Sequence, residues 1–143
     1  MSITHNRSMF QVTQEILFCY GHRLLRHAGR CKRLHGHNAV VHVTVAGDKL
    51  DDAGMLIDFH EIKSQLGKWI DDTLDHRMIL WQGDPLVSIL EAAQEPIVLM
   101  PEHPTAENLA RWIAEKGCEF GLPVVATKLW ETPRSSATWT IHK

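Results

Sequence analysis

Residues 38–46 read Asn-Ala-Val-Val-His-Val-Thr-Val-Ala, and no other stretch limits the fold of this chain as strongly. Val41, Val43 and Val45 recur at the two-residue period of a strand with one buried face, and the β-branched enrichment supports the same reading. A second alternation runs through residues 9–20, where Phe10, Val12, Ile16, Phe18 and Tyr20 occupy even positions. It predicts another half-buried strand, bent near Thr13–Gln14. Gly47–Asp48 opens a turn after the valine strand, and Asp52–Gly54 closes it.

The period then changes. Phe59, Ile62, Leu66, Trp69, Ile70 and Leu74 recur at helical spacing behind Asp58, a residue suited to cap a helix. Asp84–Pro85 marks a break, Leu86 to Ala93 reads as a short helix, and Ile97 to Met100 is a brief apolar run. Thr105 is the expected N-cap of a second main helix, with Leu109, Trp112 and Ile113 on its buried face and Gly117 or Gly121 at its end. Residues 124–130 and 136–142 finish the chain as two strands around Pro133–Arg134–Ser135. The expected class is α+β: a mainly antiparallel sheet with two main helices on one face. With 44% hydrophobic residues, the other face is expected to be covered by another subunit.

One domain over residues 1–143 fits this length, with residues 1–8 as a flexible N-terminus. Fifteen basic and seventeen acidic residues nearly cancel, so the chain as a whole has no electrostatic claim on nucleic acid or a membrane surface. No apolar run is long enough to span a bilayer, and the polar N-terminus lacks a signal core. Cys19, Cys31 and Cys118 are odd in number and irregular in spacing, which speaks for a reducing cytoplasm.

Ten histidines call for a chemical explanation. On an extended chain the imidazoles of His35 and His37 point to the same side, and Gly36 between them crowds nothing. A third imidazole from a neighbouring strand would complete a catalytic zinc site with an open fourth position. His22 follows the first strand and is the natural candidate; His27, in the Arg-rich loop, is its rival. Cys31 is open to two readings. It can be a fourth ligand of a closed site, or, flanked by Arg30, Lys32 and Arg33, a thiolate acting as base or nucleophile. Cys19 and Cys118 read as packing residues. Arg23, Arg26, Arg30, Lys32 and Arg33 stand without an intervening acid, suited to a polyphosphate, and Arg77 can join them.

Asp75–His76, after the first helix, reads either as a dipole-stabilised helix end or as an acid–base histidine with its carboxylate. Glu131, ending an apolar strand, can accept two parallel N–H bonds from a guanidine-like ring edge. Glu107 lies in the first turn of a helix, where the dipole alone explains an acid.

These residues fall into a familiar order. Cys31-Lys-Arg-Leu-His35-Gly-His37-Asn38 resembles the Cys-x-x-x-His-Gly-His signature of the 6-pyruvoyl/6-carboxy-tetrahydropterin synthase family. Gly21-His22-Arg23-Leu24, Met55-Leu-Ile-Asp-Phe59, Leu74-Asp75-His76, Pro104-Thr-Ala-Glu-Asn-Leu-Ala110 and Glu131-Thr132 follow in matching positions, so the likeness spans roughly residues 10 to 140. It implies a tunnelling fold assembled into an oligomeric barrel, commonly a hexamer of two trimers, with active sites between subunits. It implies zinc on His22, His35 and His37, Cys31 as the proton-transferring thiol, and Asp75 with His76 as the partner acid–base pair. Glu131 would anchor the pterin, with Thr105 and Glu107 near its ring.

The implied substrate is 7,8-dihydroneopterin triphosphate. The three residues between Cys31 and His35 resemble the 6-carboxy branch of queuosine precursor synthesis, which releases acetaldehyde and triphosphate. The alternatives are a 6-pyruvoyl synthase and a metal-containing binding protein that keeps the fold without catalysis. Trp139, where many relatives have tyrosine, and the long segment 84–103 depart from the family pattern.

Overall fold

The computed structural model describes residues 9–141; the N-terminal segment 1–8, expected to be flexible, and His142 and Lys143 lie outside the described residues. Strand β1 (Phe10–His22) runs without a break at Thr13–Gln14 and pairs antiparallel with β2 (His35–Gly47). Both strands are longer than the apolar alternation suggested, because His22, His35 and His37 continue it with polar side chains. Ile16, Phe18 and Tyr20 of β1 face the core with Ala39, Val41, Val43 and Val45 of β2.

Residues 59–73 form one helix, α1, in which the turn Lys63–Gly67 is π-helical. Asp58 caps it, its carboxylate accepting from the His60 N–H at 2.8 Å. Ile62, Leu66, Ile70 and Leu74 are fully buried at intervals of four. Such a stripe drifts about 40° per step on a helix of 3.6 residues per turn, and one wider turn takes up part of the drift. Phe59, expected on the buried face, is instead 53% exposed at the helix start.

Arg77–Trp81 forms β3, a strand that the sequence pattern did not separate from the helix before it. It lies parallel to the end of β1, and after the short helix α2 (Leu86–Ala92) strand β4 (Ile97–Met100) lies parallel to β3. Helix α3 (Ala106–Glu119) begins at Thr105, whose hydroxyl oxygen accepts from the Asn108 N–H. It ends in a Schellman turn: Gly121, at φ +86°, donates to Cys118 O and Leu122 donates to Gly117 O. Strands β5 (Val124–Thr132) and β6 (Ser135–Thr140) complete a six-stranded sheet in the order β4-β3-β1-β2-β5-β6.

The antiparallel expectation therefore holds for β1, β2, β5 and β6, and β3 and β4 add a parallel flank. The parallel flank arises because the chain returns through α1 from β2 to β3 and through α2 from β3 to β4. Helices α1 and α3 cover one face, joined by the edge-on pair Trp69–Trp112 at 5.1 Å and tied to β5 by Thr127 Oγ1 donating to Ala110 O. Among the described residues no helix is long and apolar enough to cross a membrane.

An ion pair fastens the loop after β1 to the turn before α2. Arg23 Nε donates to Asp84 Oδ2 at 2.8 Å, its Nη2 donates to Oδ1, and the Leu86 N–H also donates to Oδ1. Burial works to raise the Asp84 carboxyl, yet the bonds from Arg23 and Leu86 outweigh it and hold it below the ordinary carboxylate value. A depressed carboxylate contributes stability that is present above its unfolded value and is lost as pH falls through the lower folded one. Asp84→Asn is expected to cost about 1.5–3 kcal/mol at pH 7. Denaturant melts of both proteins at falling pH should show the gap closing in acid; a gap independent of pH would contradict this account.

Candidate functional site

The core alternation of β1 and β2 carries three imidazoles to one end of the sheet. His22 lies across from His35 and Tyr20 across from His37, with Gly21 and Gly36 between them. All three histidines share the helix-covered face with the core residues, and each brings one ring nitrogen within 4.8 Å of the other two. His22 Nε2 and His37 Nε2 stand 3.2 Å apart. Two nitrogens bound tetrahedrally at about 2.0–2.1 Å from one metal would lie about 3.3 Å apart.

The second nitrogens are already committed. His22 Nδ1 donates to Pro104 O at 2.6 Å and His35 Nδ1 donates to Arg33 O at 2.7 Å. A carbonyl only accepts, so these bonds fix the tautomer and leave Nε2 of each neutral ring with its lone pair free. Burial pushes the His22 imidazole below its ordinary pKa, against the opposing pull of Pro104 and Glu131. It is thereby kept neutral, the state in which imidazole binds metal. The donor set and its outer hydrogen bonds fit a divalent metal with an open position.

Glu131 borders this group. Its carboxylate lies 3.5 Å from His37 Nε2 and 3.8 Å from His22 Nε2, and Oε1 accepts from the Tyr20 hydroxyl at 2.9 Å. Burial first, and then Glu131, push the Tyr20 phenol pKa up, so the hydroxyl stays protonated as a donor. Glu131 continues the inward phase of Leu129 and sits where a bulge shifts the β5–β6 register. It shares a concavity of about 220 Å³ with Thr105 and Glu107. Thr105 and Glu107 reach it because they occupy the cap and first turn of α3.

Asp75 and His76 form a second group, pinned to β1. Cys19 N–H donates to Asp75 Oδ1 at 2.9 Å, His76 N–H donates to Cys19 O at 2.7 Å, and His76 Nδ1 bonds Asp75 Oδ2 at 2.8 Å. Adjacent side chains can meet in this way because His76 adopts a left-handed backbone, φ 59°, a region in which His is enriched among non-glycine residues. Burial works to raise the Asp75 carboxyl, but the Cys19 N–H and His76 prevail and hold it low. His76 lines a cavity of about 510 Å³ together with Cys19, His35 and His37. Cys19, read from sequence as packing, thus belongs to the surroundings of the acid–base pair.

The remaining candidates separate. His27 Nδ1 accepts from Gly29 N–H inside its own loop and stands outside the histidine group. Cys31 sits in a single 3-10 turn, Arg30–Lys32, whose Cys31 O accepts from Leu24 N–H and closes the loop neck. It joins neither the histidine group nor the Asp75–His76 group within one chain. Arg23 is occupied by Asp84 rather than free for an anion, whereas Arg30 and Arg33 flank an open concavity of about 550 Å³. Sequence reasoning missed Tyr20 and Pro104 as partners of these groups. Tyr20 had a signal, since it precedes His22 by two on the same strand face; the Pro104 carbonyl had none.

A sequence profile described as "6-pyruvoyl tetrahydropterin synthase" matches residues 11–141. Two curated relatives are named 6-carboxy-5,6,7,8-tetrahydropterin synthase: one from Rickettsia conorii, 37% identical across 87% of this chain and 96% of its own, and one from Haemophilus influenzae, 33% identical across 89% and 96%. Among solved structures, a Wolinella succinogenes protein superposes with a TM-score of 0.80 at 26% identity, covering 94% of this chain and 99% of its own. The 6-pyruvoyl tetrahydropterin synthase of Plasmodium falciparum superposes with a TM-score of 0.74 at 22% identity over 95% and 99%. With the profile spanning nearly the whole chain and relatives above 30% identity over most of both lengths, the chain belongs to the 6-pyruvoyl tetrahydropterin synthase family.

Proposed function

We propose that this chain is a cytoplasmic, zinc-dependent lyase that converts 7,8-dihydroneopterin triphosphate to 6-carboxy-5,6,7,8-tetrahydropterin, releasing acetaldehyde and triphosphate. The observation that carries the chemistry is the convergence of His22, His35 and His37 beside Glu131, two of the rings being locked on backbone carbonyls. The branch rests on the relatives named for the 6-carboxy product, together with the three residues between Cys31 and His35.

A zinc ion held by the three imidazoles would supply Lewis acidity to the oxygens of the substrate side chain. Glu131, oriented by Tyr20, offers its carboxylate to the paired N–H donors of the pterin's aminopyrimidine edge. Thr105 and Glu107 line the same concavity and bound the ring. Asp75 accepts from His76 Nδ1, which leaves Nε2 as the atom that takes or gives a proton, with the Cys31 thiol as its counterpart. Arg30 and Arg33 are placed to meet the triphosphate. The redox change is internal to the substrate, so no nicotinamide or flavin is required.

Cys31 and His76 would serve one site across a subunit boundary. β1 pairs with β3 only over Tyr20–His22 and Cys19 is taken by Asp75 and His76, so its outer edge before Cys19 is open to a strand, and β6 is an edge strand. Joining such edges head to tail closes a ring, and the proposed assembly is a homohexamer of two trimers. Light scattering on the purified protein is expected to give the mass of six chains; a monomeric mass would remove the shared site.

Incubation with 7,8-dihydroneopterin triphosphate is expected to yield acetaldehyde together with triphosphate. Triphosphate without acetaldehyde would instead establish the 6-pyruvoyl reading. Cys31→Ala should keep one zinc per chain while turnover falls by about 10²–10⁴-fold. Loss of the metal in that variant would make Cys31 a ligand of a closed site, and retained turnover would remove it from proton transfer.

A further inference from the structure

The carbonyl that orients His22 lies 82 residues away in sequence, at Pro104 in the loop 101–105 between β4 and α3. Its direction is set by a small number of constraints. The proline ring fixes φ at Pro104. Thr105 N–H donates to His103 O at 2.8 Å, closing a three-residue turn that sets the remaining torsion. His103 O accepts a second bond at 2.8 Å, from the side-chain amide Nδ2 of Asn108. The other end of that amide is also committed, since Arg111 Nη2 donates to Asn108 Oδ1 at 3.0 Å. A guanidinium only donates and a carbonyl only accepts, so the amide has one possible orientation.

We propose that Asn108 is a positioning residue for the metal centre: by holding His103 O through its amide N–H, it aims the Pro104 carbonyl at His22 Nδ1 and so sets metal affinity. The proposal rests on the reading of His22, His35 and His37 as metal ligands. The Asn108 side chain bonds His103 O and Arg111, and acts on the histidine group through the loop. Its backbone N–H, which donates to the Thr105 hydroxyl oxygen, is a separate helix-cap contribution that survives substitution of the side chain. Hydrogen bonds that orient ligating histidines are commonly worth 10–100-fold in metal affinity.

Asn108→Asp discriminates between positioning and plain stability. The carboxylate keeps the size and the acceptor for Arg111, but it cannot donate to His103 O and repels that carbonyl. Asn108→Ala removes the donor without adding charge and carries the same expectation should the aspartate variant fail to fold. Zinc dissociation constants measured by competition with a chromophoric chelator are expected to rise by about 10–100-fold in either variant. The visible spectrum of the Co²⁺-loaded variants should depart from that of the loaded wild-type protein. Wild-type zinc affinity and an unchanged Co²⁺ spectrum, whatever happens to the melting temperature, would overturn the proposal. A wild-type protein that binds neither Zn²⁺ nor Co²⁺ would instead overturn the metal reading, and this inference with it.

Discussion

The register between β1 and β2 is the constraint on which the site depends. Side chains alternate across a strand, so one antiparallel alignment that buries Ile16 and Phe18 against Ala39 and Val41 also sends Tyr20, His22, His35 and His37 to the same face. A slip of one residue would expose the valines and scatter the imidazoles together. The hydrophobic core therefore sets the strand face on which the histidines stand, and their own hydrogen bonds then orient the rings. Gly21 and Gly36 face each other at the same level, and a Cβ on Gly36 would come within 3.1 Å of Tyr20 O.

Burial and backbone polarity then prepare the groups that the sheet has gathered. His22 is almost fully buried, which disfavours its charged form, and the Pro104 carbonyl gives the neutral ring a fixed tautomer. Tyr20, buried beside Glu131, stays protonated and orients that carboxylate. On the opposite margin the backbone of Cys19 holds Asp75 and His76 from both sides. His22 and the Asp75–His76 pair are thus held by main-chain atoms of a neighbouring element, a rigid form of support.

Much of the site was legible in the sequence. His35-Gly36-His37 displays a two-residue period directly, and Asp58 and Thr105 cap the helices they precede. Trp112 packs against the core beside Trp69, as its helical phase indicated, and β3 went unseen because Arg77-Met-Ile-Leu-Trp81 is short and follows closely on a helix. Arg23 looked like an anion ligand by its company in the basic loop. Its carboxylate partner, Asp84, lies 61 residues on in the turn before α2, beyond the reach of any local pattern.

By itself the sequence determined the periods of the longer elements: which of them are strands or helices, which face of each is apolar, and that His35 and His37 point together. Those properties follow from the backbone repeat and need no knowledge of neighbours. The family resemblance implied His22 rather than His27, and strand register brings it to the histidine group; tertiary structure alone decided that Cys31 stands apart from Asp75–His76 within one chain, and that a carbonyl at Pro104 orients a ring on β1. Each of these is a contact across a closed loop. Its geometry is set by strand register, the parallel crossovers and helix docking, which a linear pattern does not encode.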